Sequence, residues 1–193
     1  MLEIKSKNII KVFGNEISFQ RFKKNQTEML NDKSEISSND FTTMYNIGVA
    51  LGELKKYEEA IACYDELLQI NPQHVDTLYN KGFAFAKLGN QEKAIDCYDK
   101  MLKINPENIK IWCNMGVSFA RLRKHQTAIE CYERVLEINP KHVKTLSNMG
   151  SSLCYLEKFI EGVEYFTLAL DIEPDEPNIL SNLSLALSIS KQE

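Results

Sequence analysis

An all-α fold, an α-solenoid of helix pairs with a C-terminal capping helix, is predicted for this 193-residue sequence by three observations. Landmark residues recur at a constant interval of 34. Each interval holds two apolar runs with i, i+3, i+4, i+7 spacing, the signature of a half-buried helix. Each closes on an Ile-Asn-Pro or Ile-Glu-Pro phrase, at Pro72, Pro106, Pro140 and Pro174. Three further registers run through Gly48, Gly82, Gly116 and Gly150; Ala60, Ala94, Ala128 and Gly162; and Tyr64, Tyr98, Tyr132 and Phe166. The repeating units are 41–74, 75–108, 109–142 and 143–176, with a half unit at 177–193 and a non-repeating segment at 1–40.

The first forty residues admit two readings. Ile9 to Phe13, Gly14-Asn15 and Ile17 to Phe22 fit a hairpin with a Gly-Asn turn, while Phe19, Phe22, Gln26, Met29 and Leu30 fit one face of a helix. An isolated hairpin is marginal in water, so the segment is expected to pack on the array or on a partner, and Ile9 to Phe13 is a candidate internal ligand. Residues 31–40, rich in Ser, Asn and Asp, read as a linker ending in a helix N-cap at Asp40. Arg21, Lys23 and Lys24 are too few to make a nucleic-acid surface.

Within the repeats, Leu78, Lys81, Gly82, Phe85 and Leu88 outline a first helix and Ala94, Tyr98, Met101 and Leu102 a second, separated by Leu88-Gly89-Asn90. Asn-Pro ends the second helix because the residue before proline is pushed out of the α region. Glycine in mid-helix costs about 1 kcal/mol against alanine. Its recurrence is expected to serve close approach, with small residues such as Gly82 and Ala94 letting two backbones pack. In the last half unit Leu180, Leu183 and Leu187 are expected to pack back on the fourth unit, leaving Leu185 and Ile189 as a possible dimer seam.

Composition narrows the function. Apolar residues make up 44% and the formal charge is −4, so the chain buries a core and has no global attraction to nucleic acid or anionic lipid. No membrane span or signal-peptide core is found, and the expected compartment is the cytosol. Cys63, Cys97 and Cys131 share the 34-residue interval, which suits small buried hydrophobes rather than a disulfide or metal framework. No cofactor and no metal is expected. Dinucleotide, Walker, zinc-protease and nucleophile-elbow motifs are all absent, so the chain is read as a non-enzyme. His74, His125 and His142 read as surface-turn residues.

These registers resemble the tetratricopeptide repeat, a 34-residue unit whose landmarks are a large residue, Leu-Gly, Tyr, Ala, Phe and Pro. Trp112 stands at the large-residue position with Met44, Leu78 and Leu146; Leu51, Phe85, Phe119 and Leu153 fill the next large slot. Lys81 departs from the apolar choice made by Ile47, Met115 and Met149. The resemblance covers about residues 41–190 and implies stacked antiparallel helix pairs forming a right-handed superhelix with a concave groove.

In that family the position two residues before each glycine faces the groove. Here it holds Asn46, Asn80, Asn114, Asn148 and Asn182. Repeated asparagine has poor helix propensity and asks for a reason. One reading is a ladder that grips the alternating N–H and C=O groups of an extended peptide, since Asn both donates and accepts. The other is solubility and hydrogen bonding between repeats. Tyr45, Tyr79 and Phe83 are expected to hold an apolar side chain, and Lys87, Lys110, Arg121 and Lys144 an acidic group or C-terminal carboxylate. The carboxylate clamp of chaperone-binding relatives, carried onto Tyr45, Val49, Asn80, Lys110 and Asn114, matches only at Asn80 and Lys110, so that grip is not expected. The sequence therefore points to an adaptor or scaffold binding a protein or peptide, with a self-assembling structural repeat protein, a homodimer among its forms, as the alternative.

Overall fold

The computed structural model describes residues 38–190. Among them are nine helices and no strand: α1 (Ser38–Glu53), α2 (Tyr57–Ile70), α3 (Val75–Lys87), α4 (Gln91–Ile104), α5 (Ile109–Arg121), α6 (His125–Ile138), α7 (Val143–Tyr155), α8 (Phe159–Ile172) and α9 (Pro177–Ser190). The hairpin and helix readings of residues 1–37, and Ile9 to Phe13 as an internal ligand, lie outside the described residues. Asp40 is not an N-cap: α1 already begins at Ser38, which leaves Asp40 in the first turn, where its charge suits the positive end of the helix dipole. No helix among the described residues is long and apolar enough to cross a membrane.

The chain divides into two compact units, with the boundary after Ala84. In the first, α1 pairs with α2. Met44, Ile47 and Leu51, spaced i, i+3, i+7, meet Ala60, Cys63, Tyr64 and Leu67 in a buried core. Lys81 of α3 breaks the apolar register because its ammonium pairs with Asp65 of α2.

In the second unit each helix from α4 to α9 packs on the next, and α5 also touches α7, as α7 touches α9. Contact confined to neighbours and next neighbours is the packing of a stack of hairpins. Its core passes from Ala128, Ile129 and Tyr132 of α6 to Met149 and Leu153 of α7. It continues through Leu146, Phe166 and Ala169 to Ile179 and Ala186 of α9.

Each turn is set by the chain's own chemistry. Lys55, Gly89, Arg123 and Glu157 hold left-handed backbone, with φ of 60°, 83°, 62° and 63°. Each follows a first helix, and the next residue's N–H bonds back to a carbonyl inside that helix: Lys56 to Leu51 (2.9 Å), Asn90 to Phe85 (2.9 Å), Lys124 to Phe119 (3.0 Å) and Lys158 to Leu153 (3.0 Å). The second helices stop differently. Asn71, Asn105 and Asn139 are pushed out of the helical region by the following proline, and their Oδ1 atoms accept from the N–H groups of Gln73, Glu107 and Lys141.

One expectation needs correction. On α9 the buried stripe is Ile179, Leu183 and Ala186, while Leu180 and Leu187 are exposed. The helix carries apolar residues on more than one face, so periodicity alone fits several stripes. The glycines, for their part, mainly clear room for a ring. A Cβ on Gly48 would fall 2.5 Å from the Tyr64 ring, and one on Gly116 would collide with the Tyr132 ring. At Gly150, facing Gly162, backbone meets backbone: a Cβ there would lie 2.9 Å from the Gly162 carbonyl oxygen and equally close to the Phe166 ring.

The repeated cysteines are buried thiols. Burial, reinforced by nearby Glu66 and Glu59, pushes Cys63 up to about 11, and burial with Glu130 pushes Cys131 up to about 12. Iodoacetamide at pH 8 is expected to leave both unmodified in the folded protein and to label them after denaturation, as read by mass spectrometry of the intact chain. Gly116→Ala is expected to cost about 1–3 kcal/mol in urea unfolding, overpacking outweighing the gain in helix propensity. Gly52→Ala, where the nearest atom to a new Cβ is the Tyr64 hydroxyl at 3.9 Å, is expected to be neutral or to stabilise by up to about 1 kcal/mol.

Candidate functional site

The first helices carry every residue singled out for binding, and the two units treat them differently. In the first unit Asn80 Nδ2 donates to Tyr45 Oη at 2.9 Å, tying α3 to α1. That bond is the repeat-to-repeat use of the register. Burial, aided by the Asp76 charge, raises the Tyr45 hydroxyl above its ordinary value, so it stays a neutral phenol. Asn46 is exposed. Tyr79 and Phe83 lie with ring centroids 6.5 Å apart and planes inclined by 20°, forming an apolar pair one helical turn long. His74 departs from a free surface turn: its Nδ1 accepts from the Thr77 backbone N–H at 3.3 Å, and its ring packs edge-on against Phe41 and Tyr45. The His142 Nδ1 lies 2.8 Å from Thr145 Oγ1, as the His74 Nδ1 lies 2.8 Å from Thr77 Oγ1. His74, through its backbone contact, helps to start a helix.

In the second unit Lys110 and Lys144 are the second residues of α5 and α7, whereas Arg121 ends α5. A rise of 1.5 Å per residue puts Lys110 and Arg121 about 16 Å apart along one axis, too far to share one carboxylate. Lys87 ends α3, and Lys87, Lys110 and Lys144 are all exposed. Asn114 is half-buried on α5. Asn182 is exposed and lines an apolar cavity of about 450 Å³ with Tyr155, Leu185 and Ile189.

Arg121 and Asn148 are brought together. They line a second cavity of about 300 Å³ with Ser151, and three further members escaped the sequence reading: Arg123, His125 and Tyr155. Arg121 is held by a bond from Nη1 to the Ala86 carbonyl at 3.2 Å, a carbonyl that also accepts from Gln91 Nε2 at 3.1 Å. Arg123 sits in the left-handed turn with its guanidinium 5.2 Å above the Tyr155 ring. His125 stacks on the same ring, centroids 4.5 Å apart and planes 11° from parallel.

His125 is thus no surface residue: it is 7% exposed, and neither ring nitrogen has a hydrogen-bond partner. The Asn148 Nδ2 is likewise buried without one. A buried polar group left unpaired costs about 1–3 kcal/mol, so two around one cavity call for an explanation. A signal for His125 did exist in the sequence. Its register holds Tyr57, Gln91 and Phe159, all large residues at the start of a second helix. Desolvation by burial, and then the Arg123 charge, lowers its pKa below the ordinary 6.5, so the ring is neutral at pH 7.

Comparison with known proteins follows the same architecture. A family model described as "Tetratricopeptide repeat" matches residues 75–108 and 109–142, and one described as "TPR repeat" matches 51–89. A crystal structure of MamA protein is similar at 20% identity and a TM-score of 0.72, covering 78% of this chain and 82% of that one. MamA residues 41 to the end from Desulfovibrio magneticus RS-1 is similar at 21% identity and a TM-score of 0.68, over 72% and 79%. The first TPR of Spaghetti (RPAP3), bound to the HSP90 peptide SRMEEVD, is similar at 25% identity and a TM-score of 0.59, over 62% of this chain and 94% of that one. Comparison with curated protein sequences gives no match.

Because the folded pKa of His125 lies below its unfolded value, its stabilising effect is complete above pH 6.5 and is lost as pH falls through the folded pKa. Wild type is therefore expected to lose more thermal stability than His125→Phe between pH 7.5 and pH 5, measured by circular dichroism under matched salt.

Proposed function

This chain is a tetratricopeptide-repeat protein, and from that premise we propose that it is a non-enzymatic interaction module, an adaptor or scaffold, that binds a peptide or protein segment along its first-helix faces. The observation that carries this reading is the Asn148 amide, buried beside a cavity with no partner of its own. An extended peptide supplies the carbonyl oxygens that such a donor needs. Asn114, half-buried in the same register of α5, is the neighbouring rung of the ladder. At Asn80 the amide is already engaged by Tyr45, so there it serves the fold first. Tyr79 and Phe83 supply an apolar contact, while Lys110, Lys144 and Arg121 favour acidic residues in the ligand.

Support also comes from the RPAP3 repeat, whose bound HSP90 peptide ends in acidic residues and an aspartate. The grip here must differ. Tyr45 and Val49 stand where the chaperone-binding clamp needs polar or basic groups. We expect an internal or side-chain acidic contact in place of a terminal carboxylate clamp, and a cytosolic location.

A second reading rests on α9. Leu185 is 62% exposed, and Leu180 and Leu187 are also exposed, so self-association through the last helix is the competing use of the array.

The two are separated by affinity capture from source-cell lysate with wild type and an Asn80→Ala, Asn114→Ala, Asn148→Ala triple variant checked for folding by circular dichroism. A partner retained by wild type and lost by the folded variant is expected. Identical capture by both proteins would assign the ladder to structure, and a mass that doubles with concentration in light scattering would favour self-assembly.

A further inference from the structure

We propose that the cavity at the C-terminal end of α5 is an oxyanion site that takes the phosphoryl group of a phosphorylated side chain in the bound peptide. The proposal deepens the peptide-binding reading of the α5 and α7 faces and rests on it for the identity of the ligand. The argument begins with charge. The chain carries a net −4, yet this cavity is lined by Arg121 and Arg123 and by no carboxylate. The cavity beside α6, by contrast, is lined by Glu130, Glu133 and Glu137 around a single Arg134. Two cations converging without an acid to neutralise them form a place for an anion.

Hydrogen bonding narrows the anion. The unpaired groups are the Asn148 Nδ2, which only donates, and the His125 ring, which carries at least one N–H in either tautomer. With the two guanidinium groups, donors outnumber the one bare imidazole nitrogen, so the ligand must bring acceptors. A carboxylate is satisfied by one bidentate arginine. A phosphoryl group offers three strong acceptor oxygens and a charge of about −1.5 to −2, which matches two arginines, an imidazole and an amide together. His125 is also the first residue of α6, so the positive end of that helix dipole adds to the field.

The site is organised before any ligand arrives. The Ala86 carbonyl fixes Arg121, and the Tyr155 ring carries Arg123 on one contact and His125 on another. Neutral in the free protein, His125 gains a reason to take up a proton once a dianion sits beside it. The titratable side chains lining this cavity are Arg121, Arg123, Tyr132 and Tyr155 besides His125 itself.

The test uses the full chain and two probes, inorganic phosphate and N-acetyl-O-phosphoserine amide, titrated at constant ionic strength against acetate. The readouts are the NMR signals of the His125 ring and the Asn148 side-chain amide. Saturable shifts with a dissociation constant of about 1 mM or tighter are expected for both phosphate probes. Arg121→Gln and Arg123→Gln should each weaken binding about tenfold, as loss of a charge-assisted hydrogen bond does, while Lys141→Gln, at an exposed lysine outside the site, should not. Absence of saturable shifts, equal binding by both arginine variants and wild type, or acetate binding as tightly as phosphate would each overturn the site. A partner lost by the asparagine variant without phosphate binding would overturn the oxyanion site alone. Phosphate binding without such a loss would count against the peptide reading and leave the oxyanion site standing.

Discussion

Three helix pairs, α1–α2, α5–α6 and α7–α8, depend on an aromatic ring lying where the facing helix has no side chain. Tyr64 occupies the space over Gly48, Tyr132 that over Gly116, and Phe166 that over Gly150. The exchange is favourable because burying an aromatic side chain is worth roughly 1.5–3 kcal/mol, more than the roughly 1 kcal/mol that glycine forfeits in a helix. With the ring seated, the two helices lie close enough for Ala60, Ala128 and Ala169 to be fully buried. The polar faces of the first helices are thereby left for other uses, because the packing is completed by their small and apolar positions.

The same separation explains why the cavity beside α5 is so differently made from the rest of the surface. Its members come from the last turn of one first helix, the turn after it, the start of the second helix and the next first helix. No single repeat could assemble them. Tyr155 is the piece that does the joining, since one ring supports both the guanidinium of Arg123 and the imidazole of His125. A shared aromatic support of this kind fixes the direction of two polar groups without consuming any of their hydrogen-bonding capacity.

Much of the fold was legible in the sequence, for a definite reason. The signals that set it are local: an Asn before proline, a glycine 16 residues before an aromatic, a small residue opposite. The buried state of Cys63, Cys97 and Cys131 was legible for the same reason, since each repeats a position rather than a motif. The proposed binding surface was legible only as a set of first-helix positions. His125 was read as a surface residue because its burial is made by Tyr155, thirty residues away, and nothing near His125 announces that ring. The last helix failed in a different manner. Ile179, Leu180, Leu183, Leu185, Ala186 and Leu187 give it several equivalent apolar stripes, and only the fourth pair decides which one is covered. Lys81 looked like a flaw in the pattern until Asp65 supplied its counter-charge.

The left-handed residue that ends each first helix has a consequence of its own. Lys55, Gly89, Arg123 and Glu157 share one backbone geometry while differing in charge, so the turn holds its shape whichever side chain it bears. A non-glycine residue there carries strain of roughly 1–2 kcal/mol, and three of the four positions tolerate it. The position therefore works as an interchangeable socket: the scaffold fixes the angle at which a side chain leaves the chain, and substitution there selects the charge presented. Ligand preference in such an array can drift one socket at a time, with the cores of the helix pairs untouched.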